Sequence, residues 1–469
     1  MNSMVSWKDY DGVNGFGQAT ASDVAELNKA LHVNQDISKP SVAAGEGFAL
    51  RVESLESTLK VTTWTMQEIK LWKSIPKLPA YNTVEEHNTL SSFGENLDNM
   101  WIDEGDLPES DDSTYERDYA VVKYLGTTRS VSHVATMIKP AHGNIIAQET
   151  VNGTMQMLRA MEKGLYYGNS SLSALQFDGY EKLLTDNAPA ANIVDLRGAY
   201  LTEDILSDAA RTIQESYGAP THLHINTQVH GDLGKTFFPK ERMSVFDDKT
   251  GVIGNNLSGF QGPTGIVVFE PSVFITDGGA YNAAATGAAA TRPGTPTIST
   301  SLAASGTTSQ FTADDAGSYY YTIVACNRYG KSAPVDANEG GGAFAVAATQ
   351  VVTFSVTPAA SFVGWYEIYR TVKGGADGTE RLIQRVANSA GAGAQVITDV
   401  NATLPGTTSG FMFQQNLQSM SFKQLAPMVK IPLATIDTSI RWSQVIYGVP
   451  VLYAPGKNLL FKNIGRLAQ

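Results

Sequence analysis

Between Tyr115 and Leu125 the side chains alternate. Tyr115, Arg117, Tyr119, Val121, Lys123 and Leu125 fall on one parity; Glu116, Asp118, Ala120, Val122 and Tyr124 fall on the other. A period of two is that of a strand with one face covered. Gly126-Thr127-Thr128 reads as a break, after which Val131, His133 and Ala135 resume an extended pattern. The period then changes. Beyond Pro140, which suits a first helical turn, Val151, Met155, Leu158 and Leu165 recur at helical steps, with Arg159, Glu162 and Lys163 as polar positions among them. The spacing predicts one amphipathic helix over 141–167, roughly 40 Å long at ~1.5 Å per residue. Gly153 inside it marks a kink or a close packing contact, and Gly168-Asn169 closes it.

The cleanest helical signal lies at 202–217. Thr202 can cap, Glu203 and Asp204 complement the positive end of the dipole, and Ile205, Ala209, Ile213 and Tyr217 line one side before Gly218-Ala219-Pro220 stops it. Thr221–Asn226 then reads as a buried strand. Arg441–Pro455 and Leu459–Phe461 are strand-rich and apolar, which places the C-terminal stretch inside a sheet. Residues 48–72 mix helical and extended spacing and specify neither. Residues 1–47 are polar and Gly-rich, with a short helical pattern at Asp23–Leu31, and read as an arm.

Charge changes the picture just ahead of the alternating strand. Between Glu95 and Asp118 lie Glu95, Asp98, Asp103, Glu104, Asp106, Glu109, Asp111, Asp112, Glu116 and Asp118, against the single base Arg117. Such runs are normally solvated. Phe93, Leu97, Met100, Trp101, Ile102 and Leu107 are interspersed, however, and apolar side chains on a projecting loop want a partner surface.

Composition breaks at Ala283. Ala283–Ala290 is almost entirely Ala, Gly and Thr, a joint. After it, Tyr319–Pro334, Val351–Val356, Gly364–Arg370 and Arg381–Val386 read as short strands of a β-sandwich, closed by Pro405–Gly410. A module bracketed by joints is an insertion into a host domain.

The remaining chemistry narrows the function classes. At 469 residues the chain is long enough for two or three domains. Its net charge is -12, and its 34 basic residues form no cluster of the kind that grips nucleic acid. The one cysteine, Cys326, excludes an intrachain disulfide and sits in a buried-strand pattern. His222 and His224 share a strand parity with His230 nearby, but a zinc site would want further ligands. The pairs Glu85-Glu86 and Asp111-Asp112 read as hydrated loop carboxylates. No nucleophile elbow, phosphate loop or dinucleotide fingerprint occurs. No 18 apolar residues run together and no signal-peptide pattern opens the chain, so a cytoplasmic origin is expected. No enzyme and no cofactor are expected.

The order of elements resembles the major capsid proteins of tailed bacteriophages, the Hong Kong 97 type fold. Glu104-Gly105-Asp106-Leu107-Pro108-Glu109, Leu158–Gly168 followed by Phe177–Leu184, and Trp442 with Tyr447–Val451 are similar to that family's loop, spine end and closing strands. The resemblance implies an α+β fold with an N-arm, an extended β-hairpin loop, a long spine helix, and peripheral and axial domains. It implies an arm over 1–47, the start of the peripheral domain over 48–86 and an extended loop over 87–130. The peripheral domain with the spine would take 131–200, an axial/peripheral part 201–282, and the return to the host domain 411–469. The segment 283–410 resembles an inserted immunoglobulin-like or fibronectin type III-like all-β sandwich, displayed outward, with its strands in shifted order.

What the resemblance implies is self-assembly into hexamers and pentamers of an icosahedral shell. The shell would enclose double-stranded DNA without sequence-specific binding, in a virion assembled in the host cytoplasm and away from membranes. Scaffolding, portal and decoration proteins would be its further partners. Inter-subunit contact would fall to Trp101, Ile102, Glu104, Asp106, Leu107 and Glu109 on the extended loop. No Lys lies between Lys77 and Lys123, so covalent welding from the loop tip is not expected. The rival readings are a cellular nanocompartment shell, an encapsulin-like use of the same fold, and a surface adhesin or glycan-binding protein.

Overall fold

The computed structural model describes residues 66–94, 97–108, 110–138, 143–241, 257–263, 265–303, 306–337, 342–359, 363–434 and 437–467. The arm at 1–47, its helical pattern and Pro140 lie outside the described residues.

A four-stranded sheet orders Lys77–Pro79, Met420–Pro432, Ser439–Leu452 and Lys123–Ser132. The first pair is parallel and the others antiparallel. Gly126 and Thr127-Thr128 do not break the last strand. They pair in register with Val445, Gln444 and Ser443, and a Cβ at Gly126 would come within 2.9 Å of Val445 Cγ1. The glycine is there to let the neighbouring valine in. His133–Met137 is helical, not extended, with Thr136 Oγ1 donating to His133 O at 2.6 Å.

The long helix runs Ile145–Tyr167 and buries Met157, Leu158, Met161 and Leu165 in one cluster with Phe422 and Ile446 of that sheet. Its buried stripe is rotated from the expected one. Val151 is exposed, Met155 is half-buried, and Glu162 is fully buried. The reason is visible at the helix's side: Glu162 accepts the backbone N–H groups of Lys70, Leu71 and Trp72 at 3.1, 2.8 and 2.9 Å, capping the short helix Leu71–Ser74. Gly153 marks close packing. A Cβ there would collide with Gln444 Oε1, whose amide nitrogen donates to Thr150 O at 2.9 Å.

A six-stranded mixed sheet follows the order Ile193–Asp195, Leu459–Ile464, Thr408–Phe413, His222–Asn226, Gly265–Ser272 and Gly259–Gly262. Helices Glu203–Glu215 and Thr227–Glu241 bury Leu206, Ala209, Ile213, Val229 and Leu233 against Leu223, Ile225 and Phe461. Thr202 caps the first of them, accepting from Ile205 N at 3.4 Å. Tyr217 does not extend the buried line. It lies beyond the helix end with φ +58° and is 93% exposed.

The described residues between 297 and 399 hold strands and no helix, in two larger sheets and a two-stranded pair, Gly317–Tyr319 with Phe344–Val346. One sheet orders Gln395–Asp399, Val351–Thr357 and Thr297–Ala303. The other orders Gly330–Lys331, Tyr321–Asn327, Trp365–Arg370 and Arg381–Ala387, with Val335–Asp336 also on Tyr321–Asn327. Ile323, Tyr366 and Ile368 of the second sheet and Val352, Phe354, Val356 and Ile397 of the first share one apolar core. The strands on either side of this segment, Gly265–Ser272 and Thr408–Phe413, both belong to the six-stranded sheet, each flanking His222–Asn226. Arg197, at φ +49° in the turn after Ile193–Asp195, ties the segment down. It donates to Asn401 O at 2.7 Å and Gln310 O at 2.9 Å and pairs with Asp315 at 3.1 Å.

Candidate functional site

The strands Val84–Ser92 and Thr114–Val121 form a two-stranded antiparallel ribbon that pairs with no other strand among the described residues. Opposite residues share a face, so the register Val84↔Val121, Glu86↔Tyr119, Asn88↔Arg117 and Leu90↔Tyr115 sorts the ribbon into two sides. One carries Val84, Leu90, Tyr115, Tyr119 and Val121, all exposed, together with Asn88 and the ion pair of Glu86 with Arg117 at 2.8 Å. The other carries Glu85, His87, Thr89, Glu116 and Asp118. The alternation that predicts a strand with one face covered is therefore present, but among the described residues nothing covers the apolar face.

Beyond the ribbon the chain turns through Gly94, at φ +119°, and Gly105, at φ +90°. Between them a single 3-10 turn, Asp98–Met100, interrupts the loop, and Asp106 N closes a turn on Asp103 O at 3.1 Å. The side chains here point to solvent. Trp101 is 90% exposed, Leu107 87% and Phe93 86%, while Met100, Ile102, Glu104 and Asp106 are also exposed. Trp101, Ile102, Glu104, Asp106 and Leu107 thus lie together on one projecting loop, and Glu109 lies outside the described residues. An isolated two-stranded ribbon is marginal in water, and an uncovered apolar patch on it is the mark of an interaction surface.

The base of the ribbon is held firmly. Glu85 accepts from Tyr81 N at 2.6 Å and Asn82 N at 2.8 Å, and pairs with Lys423 at 3.4 Å, both side chains largely buried. Burial would raise the Glu85 carboxyl, but those N–H groups and the Lys423 ammonium outweigh it and hold it below its ordinary value. Val122 N donates to Thr83 O at 2.9 Å, and Val122 packs with Ala80, Val449 and Val451. His87 meets Tyr453 edge-on, and burial lowers its pKa. A rigid root under an exposed arm is the geometry of a lever or a clasp.

The other candidates fall to structural roles. His224 is buried, with Tyr166 Oη 2.9 Å from Nδ1 and Gln415 Nε2 2.7 Å from Nε2. Burial drives its pKa down to about 3. Both ring nitrogens are engaged, and His230 Nε2 lies 2.8 Å from Leu257 O, so the three histidines do not converge on a metal. Cys326 is buried in its strand, and burial pushes its thiol up. Glu85 and Glu86 face opposite sides of the ribbon, each with its own cation.

Sequence reading missed a second feature. Lys163 at the end of the long helix, Lys331 and Arg385 of the all-β segment, and Lys462 of the six-stranded sheet line one cleft of about 1090 Å³. They come from four stretches of chain, so no run of basic residues announces them.

The family model described as "SU10 major capsid protein" matches residues 42–310. The major capsid protein of Staphylococcus phage K is 26% identical over 439 residues, covering 90% of this chain and 91% of its own. Among solved structures, the capsid of a native GTA particle overlaps with a TM-score of 0.46 at 10% identity, over 92% of this chain and 99% of that one. The capsid of Myoviridae phage XM1 overlaps with a TM-score of 0.42 at 10% identity, over 90% and 99%.

Proposed function

The chain belongs to the SU10 major capsid protein family and is a phage major capsid protein, and from that premise we propose that its acidic hairpin is the clasp that joins one copy to the next. The observation that carries this reading is the uncovered apolar face of the ribbon running into a tip with Trp101 and Leu107 in solvent. Burial of apolar surface at about 25 cal/mol per Å² dominates such a contact. The exposed ion pairs around it contribute ~0–1 kcal/mol each. Trp101, Ile102 and Leu107 act as the apolar anchors, and Glu104, Asp106 and Glu109 meet basic side chains of the neighbour.

The fold reads as Hong Kong 97-like. The sequence of hairpin, long helix against a four-stranded sheet, and separate six-stranded sheet supports that reading. Its shells are closed hexamers and pentamers around double-stranded DNA, assembled in the host cytoplasm, with scaffolding, portal and decoration proteins as partners. A net charge of -12 suits a container, since a wall that does not grip DNA leaves it mobile.

Residues 283–410 form an immunoglobulin-like or fibronectin-like module on the outer surface. Two sheets over one core support this, with Thr297–Ala303, Val351–Thr357 and Gln395–Asp399 at positions A, B and E of such a sandwich. Tyr321–Asn327 is read as strand F, although it precedes Val351–Thr357 and Trp365–Arg370, read as B and C, in the chain. Protease nicking within 283–410 on intact particles tests the display.

Deleting residues 95–112 tests the clasp: folded, soluble subunits without shells are expected, and normal particles would refute it. The family favours this reading over a nanocompartment or an adhesin.

A further inference from the structure

The clasp needs a socket, and the cleft beside the all-β segment has the right charge. Its lining holds six cations, Lys123, Lys163, Lys182, Lys331, Arg385 and Lys462, and three carboxylates, Glu181, Asp186 and Glu367. In a chain of net charge -12 that local excess of positive charge is against the trend. Glu367 is spent on Lys331 at 2.5 Å and Arg385 at 3.1 Å, and Asp186 on Lys182 at 2.5 Å. Lys163 and Lys462 make no close ion pair among the described residues, with Glu367 acting on Lys163 and Glu181 on Lys462 only at longer range. Burial lowers the pKa of Lys163, and Arg385, Arg159 and Lys331 lower it further, as expected of an ammonium group held among other cations. Leu175, 64% exposed, and Trp365 add apolar surface to the same lining.

The tip of the hairpin is the complement: acidic, with apolar side chains between the carboxylates. It does not reach its own cleft. Thr114–Val121 leads straight into Lys123, which lines the cleft, so the eight-residue strand separates tip from cleft by roughly 25 Å at ~3.3 Å per residue. We propose that this cleft receives the acidic tip around Trp101–Leu107 of a second copy of the chain, with Lys163 and Lys462 meeting Glu104 and Asp106. This rests on the reading that the hairpin clasps a neighbour, and names where it lands. A tip and a socket at different places on one chain make a head-to-tail contact, the kind that closes into a ring when the rotation between copies is a whole fraction of a turn.

The test is p-benzoylphenylalanine at position 101 in assembled, full-length particles, with cross-links mapped by mass spectrometry. Cross-links between copies into the stretches around Lys163–Asp186 or Trp365–Arg385 are expected. Cross-links between copies that land elsewhere, such as the outer face of Met420–Pro432, would overturn the socket and leave the clasp standing. No cross-link between copies would overturn both. In parallel, Lys163→Glu with Lys462→Glu should cut particle yield at least tenfold, and adding Glu104→Lys with Asp106→Lys should restore it. An unchanged yield for the first pair, in subunits with an unchanged melting profile, would overturn the socket.

Discussion

Glu162 of the long helix holds Leu71 through a direct 2.8 Å bond from the Leu71 N–H to its carboxylate, and both residues are fully buried. The neighbouring N–H groups of Lys70 and Trp72 join the same carboxylate. One side chain thereby satisfies the free donors of a four-residue helix and fixes the segment that leads into the parallel strand Lys77–Pro79. Burial raises the Glu162 pKa, with the three N–H groups opposing it.

Glu162→Gln should therefore destabilise the subunit although it is isosteric. An amide can accept at one atom only, and its NH₂ would face a backbone N–H that now has no acceptor. An unsatisfied buried donor costs about 1–3 kcal/mol. Urea denaturation of dissociated subunits measures this, and a change below about 0.5 kcal/mol would show the latch to be incidental.

The pH dependence of stability has a separable component at His224. Its folded pKa is about 3 against an ordinary 6.5, so between those values the unfolded chain binds the proton and the folded one does not. Stability from this group is complete above about pH 6.5 and falls as pH drops toward 3, by ~1.4 kcal/mol per pH unit. Glu162, with a raised pKa, acts with the opposite sign, losing stability as pH rises above 4.5. The difference between the native chain and His224→Gln isolates the histidine: the gap should narrow as pH falls from 6.5. A gap that stays constant would remove His224 as the titrating group.

Within the all-β segment, Arg370 and Asp399 form a buried pair at 2.6 Å, with Arg370 also donating to Asn401 Oδ1 at 2.6 Å. Asp399→Asn leaves that guanidinium without its counter-charge and should cost about 3–5 kcal/mol. Limited proteolysis should then cut 292–408 in the full chain first. Replacing both residues with apolar ones, Arg370→Met and Asp399→Leu, should recover much of the loss. Equal protease resistance of Asp399→Asn and the native chain would contradict this.

Trp101→Ala and Leu107→Ala should leave the isolated subunit's melting unchanged, since exposed substitutions shift stability by no more than about 0.5 kcal/mol. Each should weaken assembly by ~2 kcal/mol per contact, the value of one buried apolar side chain. Light scattering of assembly against subunit concentration reads this as a rise in the concentration needed. A shared loss of subunit stability would place these residues in the fold instead.

Much of this was legible in the chain because period-two and helical spacing report which side faces the core. The ribbon strand Thr114–Val121, the long helix, the capped helix at Glu203–Glu215 and the strands Tyr321–Asn327, Val351–Thr357, Trp365–Arg370 and Arg381–Ala387 follow from local pattern, whereas Val84–Ser92, Thr297–Ala303 and Gln395–Asp399 are not read from it. Glu162 was not legible: a polar residue in an amphipathic helix reads as solvent-facing, and only the three-dimensional approach of Lys70–Trp72 makes it a core residue. Gly126 read as a strand break because what it serves, Val445, is over three hundred residues away in sequence. The basic cleft was hidden for the same reason, its six cations being drawn from six separate elements. The uncovered face of the ribbon was half legible: alternation says a face must be covered but not by which chain.

The most direct test is hydroxyl-radical footprinting of Trp101 in assembled particles and in dissociated subunits. At 90% exposure in the single chain, its indole should oxidise readily in the subunit and be protected at least severalfold in the particle. Equal oxidation in both states would mean the hairpin tip stays in solvent after assembly, and would contradict the clasp.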